Sequence, residues 1–560
     1  MPIDDIDNDW PDDRAFAASA RGALEVALEH CPDWATTLGE HRYDAELPDK
    51  SPAGLEAWRE AIGRNLERFA AFDPGTLSPE NRVDALVLRN AFTQLAYELD
   101  ELREYSWNPM VANPGRALYD LTARDFAPPG DRLRSLAGRL AAMPEALATA
   151  RASLGAMPKV HLETALDQFA GTSELIIGEI DRMLEDSPAS RAEIDAVRPA
   201  ALEAIEEHQA WLRDRMSSSE RDNSFRDPRI GPERFSRKLA LVLDAETDST
   251  AILARAEADL ERVAEEITEA ASRRLSRPPS SPGLVRDALD ELASDSPDND
   301  TILECARTAV RDEFAFVEDR AVVSTFDDPF ELIAMPEIDR GISVAYCDPP
   351  GPLETAEIPT FLAISPAPAR WTPERAASFY REYNRHQVHS LMIHEAVPGH
   401  LIQLQHSKRF VGSSAVRDAW YSGSFVEGWA EYAETLMVEL GYQGEADPGA
   451  LRLQRLKRQL RTILNAILDA RIHTEGLSEE AAMELMINRG FQEEAEAAGK
   501  WRRALLTSTQ LSTYYVGYTE VSDLVSDLRL RHPDWSLRTL HDRMLSHGSP
   551  AVRHLRTVAK

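Results

Sequence analysis

The sequence predicts a mainly α-helical fold, two helical lobes around a cleft with one small β-ribbon. Three observations carry this reading. Apolar residues recur at helical spacing along most of the 560 residues, a proline-rich breaker divides them near the middle, and only two short runs are rich in β-formers. Length alone would suggest about four domains. One dominant breaker fits two lobes better.

In chain order, Ser78-Pro79-Glu80 offers an N-cap hydroxyl and a first-turn proline, predicting a helix that leads into Val83 through Glu104. Ser249 to Leu275 is a second helix, with Leu253, Ala256, Leu260, Val263 and Ile267 on one face suited to internal packing. Arg277 to Gly283 (RPPSSPG) is the strongest breaker, so an N-terminal helical lobe is expected over 1–277 and a metal-binding, catalytic helical lobe over 278–560. Asp227 to Pro232 is a lesser break, and Asp295 to Asp300 a polar loop. Ile342 to Tyr346 and Thr360 to Ser365 are the β-rich runs. They are expected to form a ribbon beside the helix that follows, where a peptide could add to the edge or where the ribbon only covers a core. Arg375 to His394 reads as one helix.

That helix runs into His394-Glu395-Ala396-Val397-Pro398-Gly399-His400. Two imidazoles are preferred ligands of Zn²⁺, and a carboxylate beside the first can deprotonate a metal-held water, which assigns His394 and His400 as ligands and Glu395 as general base. Six positions along a regular helix turn about 600° and rise about 9 Å, so the two rings would face apart. Pro398 removes a backbone donor and Gly399 permits unusual angles, so a Pro-Gly bulge is expected to return His400 to the face of His394. A Pro-Gly pair also simply ends helices. The third ligand therefore matters. Phe425 to Glu434 (FVEGWAEYAE), followed by Leu436, Met437, Val438 and Leu440, reads as a helix. Glu427 and Glu434 share a face, with Glu427 chosen as ligand and Glu434 as the acceptor that orients a ligand histidine. Gly428 would let this backbone approach the metal-bearing helix closely. Acidic residues so spaced also form solvated faces, and His386, His389 and His406 compete as ligands, with His389 and His394 an alternative pair.

HEAVPGH, followed by Leu401-Ile402-Gln403 and then FVEGWAEYAE, is similar to the signature of the bacterial domain-of-unknown-function 885 family, a zincin-like group resembling thimet-type oligopeptidases and Taq-type carboxypeptidases. Ile467 to His473 (ILDARIH) is similar to the family's Asp-x-x-x-His segment and Gln510 to Gly517 (QLSTYYVG) to its Gln-x-x-x-Tyr-x-x-Gly segment. The four occupy about the last third of the chain in the family's order. The resemblance implies a large helical zincin-like metallopeptidase fold acting on short or unfolded peptides. It implies metal ligands His394, His400 and Glu427, general base Glu395, and polar active-site groups at His473 and Tyr514. Two positions depart from the pattern: Ser508-Thr509 stand where relatives commonly carry Pro-Gly, and Glu431 where they commonly carry Leu.

The chemistry expected is hydrolysis of a peptide bond at one Zn²⁺ ion, with Glu395 moving the proton from water to the leaving amine. Tyr514, Tyr518 and His473 are the side chains available to stabilise the oxyanion, although each could equally be packed or tied to backbone. Arg503 could clamp a peptide's terminal carboxylate or stand solvated on its helix. Two other readings stay open: hydrolysis of another amide or an ester, and a non-catalytic helical scaffold. No GxSxG, P-loop or GxGxxG segment occurs.

Composition bounds the partners. A net charge of -33, from 62 basic and 95 acidic residues, argues against nucleic acid and anionic membranes. No apolar run of about 18 residues is present to span a bilayer. Met1 to Asp7 is acidic where a signal peptide would be basic and then apolar, so a cytoplasmic location is expected. Cys31, Cys305 and Cys347 contain no CxxC, so neither a disulfide framework nor a thiolate zinc site is expected.

Overall fold

The computed structural model describes residues 10–245, 247–336, 340, 343–443, 447 and 449–559. Met1 to Asp7 and Ile342, which entered the sequence reading, lie outside the described residues. Helices dominate, with one three-stranded sheet. By packing the chain divides into two compact units, Met1–Ile230 with Pro350–Ile358 and Gly412–Trp420, and Gly231–Pro349 with Pro359–Val411 and Tyr421–Lys560.

The first unit is built on long helices, among them Pro79–Tyr97, Pro129–Ser153, Lys159–Asp186 and Arg191–Asp222. Ser78 caps the first of these by accepting the Asn81 N–H. The helix widens into a π-turn at Glu98–Leu102 and ends at Arg103, which is left-handed with φ 49°. The two late segments are pinned to this unit by specific bonds: Leu353 N–H donates to Leu38 O at 2.8 Å, and the fully buried Arg417 bonds Asp84 at 2.6 Å.

In the second unit, helix Ser249–Leu275 buries Ile252, Ala256, Leu260, Val263 and Ile267. Ile252, one position before the expected Leu253, heads the stripe. This helix packs on helix Ala450–Glu475. The 277/278 boundary therefore lies inside the second unit, and the division falls at the lesser break read from the sequence, Asp227 to Pro232.

The sheet has order β1-β3-β2, with β1 Phe330–Ala334, β2 Ala345–Asp348 and β3 Thr360–Ile364. β1 runs parallel to β3 with Phe330 opposite Thr360, and β2 antiparallel with Ala345 opposite Ile364. The ribbon thus gains a third strand, β1, whose five residues mix Glu331 among apolar neighbours and carry too little pattern to read. β2 contacts helix Arg385–Glu395, which will be called the His394 helix.

The expected single helix Arg375 to His394 is two. Pro373–Glu382 stops at Tyr383, and Asn384 starts the His394 helix by accepting the Gln387 N–H at 3.2 Å. Asn is a preferred N-cap because its side chain replaces the missing carbonyl of the turn before. The His394 helix is buried at every residue from Gln387 to Glu395 and enters the larger hydrophobic core through Val388, Leu391, Met392 and Ile393. No helix among the described residues is long and apolar enough to cross a membrane.

Candidate metal centre

The His394 helix ends at Glu395 and the His400 helix, His400–Ser407, begins after a four-residue interruption. Ala396 leaves helical geometry at φ -118°, ψ -83°, the Val397-Pro398 peptide is cis, and Gly399 N–H reaches back to Ile393 O at 3.0 Å. A Cβ on Gly399 would lie 1.9 Å from His394 O and 2.3 Å from Ile393 O, so only glycine fits this return. Pro398 is held from outside as well. Its carbonyl accepts the indole N–H of the fully buried Trp429 at 2.8 Å.

The bulge brings His394 and His400 ring centroids to 4.7 Å. Glu427 comes from a separate element, helix Gly423–Glu439 (the Glu427 helix), capped by Ser422. His394 Nε2 lies 3.4 Å and His400 Nε2 3.7 Å from Glu427 Oε2, and the ligating atoms of the three residues fall within 4.8 Å of one another. Glu427 Oε2 is buried without a hydrogen-bond partner. Burial alone would raise the Glu427 carboxyl; the two facing imidazoles hold it well below the usual carboxylate range. An unsatisfied buried carboxylate oxygen between two imidazole nitrogens fits a divalent cation that takes two nitrogens and an oxygen.

The other face of His394 fixes which nitrogen is available. Glu434, 1% exposed, lies 2.8 Å from His394 Nδ1 and also accepts from Ser390 Oγ at 3.0 Å and Arg458 Nε at 2.6 Å. Arg458 Nη2 lies 2.9 Å from the same Nδ1, but an ionised Glu434 is the natural acceptor of an Nδ1 proton, and that assignment leaves the Nε2 lone pair facing Glu427. Burial would raise Glu434, and the Arg458 guanidinium and His394 outweigh it and hold the carboxyl far below its ordinary value. His394, Glu431 and Glu434 form a second cluster of metal-ligand type. Its charge is already met, since Arg458 and Arg455 lie within 3.5 and 3.8 Å of Glu431 and Thr462 donates to it. Glu431 and Glu434 are thus buried, not a solvated face.

Glu395 is 8% exposed, and no hydrogen bond or ion pair engages its carboxylate among the described residues. The rival histidines are occupied elsewhere. His389 Nδ1 lies 3.1 Å from Tyr442 Oη, His406 Nε2 donates to Ser324 O at 2.9 Å, and His386 faces Asp447 at 3.6 Å.

Tyr514 stands on helix Ser512–Arg531 (the Tyr514 helix), which crosses the Glu427 helix at Gly517 and Gly428. A Cβ on Gly428 would lie 2.2 Å from Gly517 C, and one on Gly517 1.9 Å from Ser424 O. The close approach at Gly428 is therefore real, but its partner is the Tyr514 helix and not the metal-bearing helix. It sets Tyr514, one turn before Gly517, beside Glu427. Tyr514 Oη accepts from Gln510 Nε2 and Arg503 Nη2, both at 3.2 Å. With both lone pairs used, the phenol has its proton left to donate.

His473 sits apart from the ligands. Its Nε2 donates to Thr507 O at 3.0 Å and its ring stacks on Phe235 at 5.3 Å. One helical turn earlier, the buried Asp469 accepts from Thr509 N, Ser512 N and Ser512 Oγ at 3.0, 3.0 and 2.7 Å. The Asp-x-x-x-His segment grips the turn that launches the Tyr514 helix. Within that turn Thr509 has φ 69°, the left-handed region that suits the glycine of the family pattern. Tyr518 receives a bond from Gln459 at 3.5 Å and packs under the Arg455 guanidinium. The residues missed by sequence reading are Arg458, Trp429 as a bulge anchor, and Gln510. Their work lies across the fold: Gln510 and Trp429 stood inside the quoted segments without a role of their own, and Arg458 left a signal as a cation on the mostly buried helix Ala450–Glu475.

The chain matches the model of a family described as "Bacterial protein of unknown function (DUF885)" over residues 32–558. Among solved structures it is similar to "a putative lipoprotein of unknown function from Shewanella oneidensis", with 29% identity and TM-score 0.84 over 97% of this chain and 98% of that one. It is also similar in fold to "the putative lipoprotein from Colwellia psychrerythraea", with 16% identity and TM-score 0.80 over the same shares. No curated protein matches the chain.

Proposed function

The chain belongs to the bacterial DUF885 family of proteins of unknown function, and we propose that it is a zinc-dependent metallopeptidase with a zincin-like core. The observation that carries this reading is the convergence of His394 Nε2 and His400 Nε2 on the unpartnered, buried Glu427 Oε2. When bound there, Zn²⁺ supplies Lewis acidity to the scissile carbonyl and to the attacking water. His394, His400 and Glu427 hold the ion, and Glu434 with Arg458 keeps His394 in the tautomer that can bind it. Glu395, adjacent to the first ligand and otherwise unengaged, takes the proton of the attacking water and returns it to the leaving amine. The Tyr514 hydroxyl donates to the developing oxyanion. β2, beside the His394 helix, supports an extended peptide as substrate over another amide or an ester, because a strand edge offers main-chain partners.

Metal analysis of purified protein beside its variants tests the roles. Glu395→Gln should keep the metal and lose turnover, whereas His400→Ala should lose the metal. Equal metal loss in both, or full activity in Glu427→Ala, would overturn the assignment. A panel of dipeptides, tripeptides and acyl esters decides the bond, since turnover of esters alone removes the peptidase reading. The cytoplasm is the proposed location, supported by three cysteines that form no disulfide. The structural neighbours' description as lipoproteins sets the contrary expectation, so recovery of the native protein in a membrane fraction would discard it.

A further inference from the structure

Beside Tyr514, helix Glu494–Leu506 presents Arg503 as an exposed residue. Its Nη2 donates to Gln510 Oε1 at 2.9 Å and to Tyr514 Oη at 3.2 Å. Gln510 also bonds Tyr514, so the three side chains lock one another. This lock uses one guanidinium nitrogen and fixes the plane of the group. Among the described residues no carboxylate pairs with Arg503, which sets it apart from Arg458, Arg461 and Arg471, each within 2.6 Å of a carboxylate oxygen.

Other basic side chains stand near it in a chain that is strongly acidic overall. One turn earlier Lys500, 7% exposed, donates to the neutral Asn465 Oδ1 at 2.8 Å. Burial, then Arg461, Arg503 and Arg458, push Lys500 well below its ordinary range against the opposing pull of Glu496, which Arg461 already pairs.

We propose that Arg503 receives the C-terminal carboxylate of the peptide substrate, making the chain an exopeptidase that works from the C-terminus. The inference rests on the metallopeptidase reading and deepens it. A planar guanidinium with one nitrogen pinned offers its remaining N–H groups to a carboxylate in a fixed orientation. Reach sets the register. An oxyanion on the Tyr514 hydroxyl and a carboxylate on Arg503 are linked through one Oη–Nη2 contact of 3.2 Å and two hydrogen bonds, so they lie at most about 9 Å apart. Extended chain covers that in fewer than about three residues. The bond presented to Glu395 is then within one or two residues of the chain end.

The test compares peptide pairs identical except for a free or amidated C-terminus, each with and without an internal Glu, on wild type, Arg503→Met and Arg503→Lys. Amidation should lower wild-type kcat/KM at least tenfold, and Arg503→Met should abolish that ratio. Because the variant also releases Tyr514, the acid-to-amide ratio and not the rate isolates the carboxylate contact. Arg503→Lys, which keeps the charge without the fork, should retain part of the ratio. Calorimetry on the Glu395→Gln protein supplies a readout without turnover, with the free acid expected to bind at least tenfold tighter than the amide. Equal handling of acid and amide by wild type, or equal calorimetric affinities, overturns the proposal. So does a preference for internal Glu that ignores amidation. Absence of metal-dependent cleavage of every peptide sinks the peptidase reading instead, while the calorimetric comparison still reports on Arg503.

Discussion

Gly517→Ala probes the helix crossing that sets Glu427 beside Tyr514. The added Cβ would lie 1.9 Å from Ser424 O and 2.9 Å from Gly428 Cα, where ordinary contact begins at 3.4 Å. The two helices must therefore part by about 1.5 Å. Neither yields easily, because the obstructing atoms are backbone and the flanking Phe425, Trp429, Val521 and Leu524 are all buried. Overpacking of this kind costs about 3 kcal/mol at its upper end, and a helical Gly to Ala change recovers up to about 1 kcal/mol. A net loss of about 2 kcal/mol is expected. The larger effect should be on the centre, since a misplacement of about 1 Å can cost about 10²-fold in rate. Urea unfolding, competitive zinc titration and peptide turnover would be measured together. Gly499→Ala is the control, because Gly499 is exposed on a helix with nothing within 4 Å of its Cβ position. It should gain up to about 1 kcal/mol. If Gly517→Ala also gains stability and keeps its zinc affinity, the crossing does not hold the site as argued.

Trp429→Phe leaves the Pro398 carbonyl without its donor and should cost about 1–3 kcal/mol, with zinc affinity falling in parallel; an unchanged affinity would show that the bulge holds itself. Thr509→Gly places the residue suited to φ 69° in the turn before Gln510 and should stabilise by up to about 1 kcal/mol, read as a higher urea midpoint with activity kept. His541 is buried neutral, with Nδ1 donating to Val322 O at 2.7 Å and Nε2 accepting from Tyr432 Oη at 3.0 Å, and burial pushes it from 6.5 down to about 4. A histidine depressed on folding contributes stability above pH 6.5 that is lost as pH falls through about 4, here about 3 kcal/mol. His541→Gln should flatten the urea midpoint between those pH values, and an undiminished slope would assign the acid sensitivity elsewhere.

What could be read locally in the sequence is what local chemistry dictates. The spacing of His394 and His400 demanded a broken helix, and Pro398 with Gly399 named the break. Seven-residue spacing put Glu427 and Glu434 on one face. What could not be read depends on partners far along the chain. Gly428 signalled a close approach without naming Gly517, 89 positions on. His473 carried the chemistry of a catalytic group, yet its nitrogen is used by Thr507. The helix over 375–394 carried continuous periodicity, and only the Asn384 cap divides it. The 277/278 boundary followed the densest run of prolines, but a breaker marks a turn, and whether a turn separates units depends on what the flanking helices bury. Helix Ser249–Leu275 buries its stripe on the second unit.

The four signature segments form one mechanical linkage, and this changes how the motif should be weighed. HEAVPGH is held from FVEGWAEYAE, by Trp429 on Pro398 and Glu434 on His394. FVEGWAEYAE is held from QLSTYYVG, by Gly428 on Gly517. QLSTYYVG is held from ILDARIH, by Asp469 on Ser512 and on Thr509 just before the segment. Most motif residues are thus accounted for by the neighbour they position, which leaves His394, Glu395, His400, Glu427 and Tyr514 as the residues on which the proposed chemistry rests. It also explains how this chain departs from the family pattern without losing the arrangement. Thr509 keeps the turn because Asp469 still takes its N–H. Glu431, where Leu is common, supplies a second buried carboxylate to Arg455 and Arg458, so a Leu at this position in this chain would leave Glu434 as the carboxylate facing both guanidinium groups.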